Sequence, residues 1–107
     1  MLRVFLTHGP EDRQAYYGRS LPELRSIDGV DVVLNPLDRD LTTAELAEHA
    51  SGCHVVIAHR STPGAAELFA ALPELLAFLR TAVDVSTIDI AAASAAGVLV
   101  AHADKSF

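Results

Sequence analysis

The residues best placed to do chemistry are Arg60 and Ser61, in the stretch "AHRSTPGAAELF". A guanidinium followed at once by a hydroxyl and then by a helix start can hold a carboxylate by charge, fork geometry and helix dipole together. Spacing alone leaves a second reading open, a surface arginine paired with Asp84 or Glu11. The histidines offer other chemistry. His49, Cys53, His54 and His59 crowd together like metal ligands. At about 3.3 Å per strand residue, however, His54 and His59 stand ~17 Å apart, too far to share one ion. His8, His59 and His102 each follow an apolar run and could face one crevice, either as acid–base groups or as polar residues at a wet loop entrance.

Several chemistries are excluded. All six glycines are isolated, so neither a G-x-G-x-x-G turn nor a P-loop can be written, although "DKS" at 104–106 is similar to the end of one. There is no G-x-S-x-G elbow for a nucleophilic serine. A phospho-receiver would have a lysine where Lys105 stands, but it also needs an aspartate ending the third apolar run, and "VVIAHRS" offers none. With 14 acidic against 8 basic residues, a formal charge of −6 and no Lys/Arg cluster, the chain is not expected to bind nucleic acid. No apolar run approaches the roughly 20 residues of a membrane span, and "MLRVFLTHG" lacks a signal-peptide cleavage pattern. The expected location is the cytoplasm, with no membrane partner. The single cysteine, Cys53, reads as a small buried hydrophobe.

Five short runs rich in Val, Ile and Leu must position these side chains: Leu2–Leu6, Val30–Leu34, His54–His59, Leu75–Arg80 and Gly97–Ala101. Apolar on both parities, they read as strands buried on two faces, which favours a parallel sheet. Helices fill the gaps. Thr42 and Glu45 form a capping box, with Leu41 and Leu46 as its hydrophobic staple. Ser86 is the expected cap of "TIDIAAASAA", with Asp89 three residues on, Val85 and Ile90 as staple, and Gly97 ending the helix. Ser61 or Thr62 is expected to cap a helix with Pro63 near its first position. Between Pro10 and Ile27, Gly18 and Pro22 predict a broken helix whose second part is capped by Ser20. The alternation implies an α/β, doubly wound, flavodoxin-like sheet of order 2-1-3-4-5 in one domain, 1–107. Ligands of such sheets lie beyond the strands' carboxyl ends, which here means the loops 7–12, 59–62, 81–86 and 102–107.

From Val55 onward the combination "RSTPGAAELF", "LPELL", "IDIAAA" and "GVLV" resembles the substrate-binding domain of the D-isomer-specific 2-hydroxyacid dehydrogenases. The resemblance implies that Arg60, Ser61 and the backbone N–H groups of Ala82, Val83 and Asp84 contact a substrate carboxylate. It also implies that NAD and the catalytic groups belong to a Rossmann domain absent from these 107 residues, so that this chain alone holds no cofactor and is inactive. Asp84 stands where the family has glycine, and facing inward it would repel an anion. An alternative reading is a free-standing binding or interaction module without catalysis. A surface left uncovered by the missing domain is expected to drive an isologous homodimer, with Ser94 the one polar residue in the run from Ile90 to Ala96 and the tail Asp104–Phe107 reaching across.

Overall fold

The computed structural model describes residues 1–17 and 20–103, and of residues 15–17 the backbone alone. Gly18 and the tail 104–107, with Lys105 and Phe107, lie outside the described residues. The elements run β1 (Leu2–Leu6), α1 (Pro10–Tyr17), α2 (Ser20–Arg25), β2 (Val30–Leu34), α3 (Thr43–His49), β3 (Val55–Ala58), α4 (Ala66–Ala71), β4 (Ala77–Arg80), α5 (Ile90–Ala95) and β5 (Leu99–His102). They build one five-stranded sheet of order β2-β1-β3-β4-β5, parallel at every pairing. This is the expected α/β architecture.

Strand alternation sorts the side chains onto two faces. Phe5, Val56 and Phe78 point into one core with Leu46 of α3, Leu68 and Phe69 of α4, and Ala93 of α5. The other face is thinner. There Leu21, Leu24 and Ile27 stand over Leu6 and Ile57, leaving an open apolar hollow of about 330 Å³. Cys53 is buried, and burial pushes its thiol upward in pKa.

Helix starts obey local chemistry, though not always at the expected residue. Thr42 caps α3 with Glu45 closing the capping box, and Leu41 and Leu46 are both buried. For α5 the cap is Asp89, which accepts from the Ala92 N–H, and not Ser86. The staple moves with it to Ile88 and Ala93, both buried, while Ile90 is half exposed. Ser86 instead donates its N–H to Asp84, which closes a tight turn. Gly97, at φ +77°, ends α5 as expected. Neither Ser61 nor Thr62 caps α4, which starts later, after Ala65, with no side-chain cap. The intervening residues are spent on a bridge: Gly64 pairs with Ile88, donating to Thr87 and accepting from Asp89. A Cβ at Gly64 would come within 3.0 Å of Ile88 and 3.3 Å of Phe78. Glycine is what lets the loop after β3 lie against the loop after β4. In the first connection, Ser20 is the first residue of α2 and not the cap before it, and Pro22 lies in the first turn, where a missing N–H costs nothing.

Candidate functional site

The neighbouring strands β1, β3 and β4 are in register, so the loops that follow them emerge side by side. Thr7 ties the first two together. Its hydroxyl oxygen accepts from the His59 N–H at 2.8 Å and meets the Thr62 hydroxyl at 3.0 Å, while its carbonyl accepts from Asn35. Beneath the loop 59–62 lies Arg80, only 3% exposed. One guanidinium nitrogen donates to the carbonyls of His59 (3.2 Å) and Arg60 (2.5 Å). The other donates to the carbonyl of Thr62 (2.5 Å) and to the Thr87 hydroxyl (3.3 Å). No carboxylate pairs with it within 4.0 Å among the described residues, and burial pushes its pKa below the usual arginine value. A buried cation thus fastens the turn through three of its carbonyl oxygens.

On this turn Ser61 sits between two groups. Its hydroxyl donates to Asp40 at 2.7 Å and lies 2.7 Å from His59 Nδ1. The Ser61 backbone N–H also donates to Nδ1, at 3.4 Å, so the ring nitrogen faces both the amide and the hydroxyl of Ser61. His59 Nε2 faces Asp12 at 3.6 Å. The His59 ring also packs edge-on against His8, with centroids 4.8 Å apart. Of the three histidines expected at one crevice, two therefore meet. His102, on the edge strand, turns to the carbonyl of Ala103 instead.

His8 is buried, and its Nε2 lies 3.3 Å from the Thr81 hydroxyl. Burial first, and the neighbouring His59 second, lower its pKa to about 4. An unfolded chain would protonate it near 6.5, so the fold favours the neutral ring. Its contribution to stability is complete above that value and declines as pH falls toward 4. The expected loss between pH 7 and pH 4 is at most about 3 kcal/mol. Urea unfolding across that range checks it: the pH slope of His8→Gln should be shallower than that of wild type, and equal slopes would reject the assignment.

Arg60 projects from the turn, exposed, and its side chain makes no hydrogen bond or ion pair among the described residues, with neither Asp84 nor Glu11 as partner. Across from it, Ala82, Val83 and Asp84 follow β4, and their backbone N–H groups likewise have no acceptor among the described residues. The Asp84 carboxylate is turned aside, accepting from the Ser86 N–H at 2.8 Å. That bond comes first among the causes that hold its carboxyl below the usual range, with the charges of Arg80 and Arg60 adding less. Free donors thus stand at the ends of two paired strands.

Sequence reasoning passed over Thr7, Asp40 and Arg80. For Arg80 a signal existed: it shares the parity of Phe78 and so belongs to the core side of the strand. For Asp40 there was none, because its meeting with Ser61 spans 21 residues and depends on how the loop after β2 folds. Among the described residues no three ligating side chains gather around one point, and no helix is long and apolar enough to cross a membrane.

Residues 5–107 match the family of the D-isomer specific 2-hydroxyacid dehydrogenase, catalytic domain. Among solved structures, a D-isomer specific 2-hydroxyacid dehydrogenase described as NAD-binding, from Polaromonas sp. JS6 66, superposes with a TM-score of 0.74 at 27% identity, over 94% of this chain and 29% of its own. A phosphoglycerate oxidoreductase from Vibrio cholerae shares the fold at TM-score 0.74 and 21% identity, over 95% and 31%. The D-lactate dehydrogenase of Escherichia coli does so at 0.72 and 18%, over 96% and 30%. No curated protein matches in sequence. The chain spans about three-tenths of the length of these solved chains. Matched over nearly its whole length, it belongs to the family of the D-isomer specific 2-hydroxyacid dehydrogenase catalytic domain.

Proposed function

We propose that this chain is the part of a D-2-hydroxyacid dehydrogenase that receives the substrate's carboxylate, at the ends of β3 and β4. The observation that carries the reading is the pair of uncommitted donor sets, the Arg60 guanidinium and the N–H groups of Ala82, Val83 and Asp84. Ser61 supplies a hydroxyl beside them. Charge-assisted bonds from such groups orient a small acid and hold its second carbon in a fixed place, which is the positioning half of catalysis.

Hydride transfer in this family would draw on NAD, which supplies the hydride acceptor. The residues here do not fit it: the described glycines occur singly, and none opens a helix as part of a glycine-rich turn. We therefore assign the cofactor to a separate domain and the chain alone to binding without turnover.

Titration of the chain with oxalate, followed by amide NMR, tests the assignment. Shifts should centre on residues 60–61 and 82–84. Arg60→Ala should weaken binding about 10- to 100-fold, the worth of a charge-assisted bond of about 1.5–3 kcal/mol. Equal affinities would place the anion elsewhere, and oxidation of NADH by the chain with any 2-oxoacid would overturn the claim of inactivity.

A further inference from the structure

We infer that Asp40 is an internal competitor for the substrate's carboxylate and so sets which acids the site accepts, an inference that rests on the reading of Arg60 and Ser61 above. The Asp40 carboxylate takes the Ser61 hydroxyl proton at 2.7 Å. That hydroxyl has one proton and can serve one acceptor at a time. A ligand carboxylate that is to bond Ser61 must therefore replace the carboxylate already there, and then lie beside its charge.

Asp40 can leave Ser61 only by turning its own side chain and giving up that bond. The loop that carries it is fixed on both sides. Asn35, buried, donates to the carbonyls of Thr7 and Arg39 and accepts from the Leu37 N–H. Arg39 donates to the Asp40 carbonyl and forms a two-pronged pair with Glu45 at 2.8 and 2.7 Å. Those bonds, led by Arg39, hold Glu45 at a pKa of about 2, so Arg39 is spent on Glu45 and is not available to neutralise Asp40. Leu41, next in sequence, is buried in the core. The Asp40 carboxylate is thus presented to Ser61 by a loop whose backbone is hydrogen-bonded on both sides of it. A monocarboxylate exchanges one anion for another at Ser61. An acid with a second carboxylate directed toward this loop meets Asp40 head-on, so the site discriminates against it.

The consequence is read in two ways. Against oxalate, Asp40→Ala should bind about three- to tenfold more tightly than wild type, with Asp40→Asn between them, since the amide oxygen still accepts from Ser61 but carries no charge. Asp40 is exposed, so both variants should keep the wild-type spread of amide signals. Independently of any ligand, Asp40→Ala returns the Ser61 proton to His59. The His59 Nδ1 resonance should then shift as the ring nitrogen gains a hydroxyl donor, and an unchanged resonance would show that Asp40 does not hold that proton. Arg60→Ala run in parallel separates the two claims. If Arg60→Ala binds like wild type, the carboxylate reading fails. If Arg60→Ala loses binding while Asp40→Ala gains none, Asp40 is no competitor. Should wild type show no binding, its appearance in Asp40→Ala supports the inference and its absence overturns it.

Discussion

Arg80→Met should lower the stability of the domain by about 2–4 kcal/mol, because the carbonyls of His59, Arg60 and Thr62 lose their donor and Thr62 is too buried for water to replace it. Methionine keeps much of the volume, so the loss reports donors and not a cavity. Arg80→Lys retains the charge but has one nitrogen where the guanidinium used two, and it should recover only part of the loss. Against a total stability of about 5–15 kcal/mol for a domain of this kind, the change is large enough to read from a urea midpoint. A loss under about 0.5 kcal/mol, the scale of an ordinary surface substitution, would show that water or a neighbour serves those carbonyls equally well.

Phe78→Ala is expected to cost about 3–5 kcal/mol, the range for removing a buried aromatic ring. Phe78 is fully buried in β4, packs edge-on against Phe69 with centroids 5.7 Å apart, and lies against the Gly64 backbone. Its ring also stands under the Arg80 guanidinium, 5.8 Å from centroid to charge. Since the two residues share one environment, the double variant should lose less than the sum of the single ones. Thermal unfolding of the four chains decides it: strict additivity would mean that ring and guanidinium do not support each other.

What the sequence made legible follows from how local each signal is. Strand order and helix positions depend on apolar runs a few residues long and on caps read at spacings of three, and these appear directly in "LTTAELAEHA" and "GVLVA". The caps of α4 and α5 differ from the expected residues for a tertiary reason. The Gly64–Ile88 bridge holds residues 61–65 and 84–88 in extended and turn conformations, where isolated propensity would have begun a helix. Arg60 and Ser61 could be named because they adjoin one another. The groups that fix them could not, since Thr7, Asp40 and Arg80 reach the same turn from 54, 21 and 19 positions away from Ser61. The neighbouring pair legible in the sequence lies on one loop, and the side chains that hold that loop still come from wherever the topology brings them.

The strand order has a consequence for the growing polypeptide. The order β2-β1-β3-β4-β5 means that no strand is ever inserted between two that are already paired. The second strand adds to one side of the first, the third to the other, and the fourth and fifth extend the edge most recently made. During synthesis from the N-terminus each strand therefore finds its partner already present as soon as it emerges, and the pairing ahead of it need not be undone. The turn that carries Arg60 and Ser61 follows the third strand, so it is laid against Thr7 early. It is locked only when Arg80 arrives on the fourth.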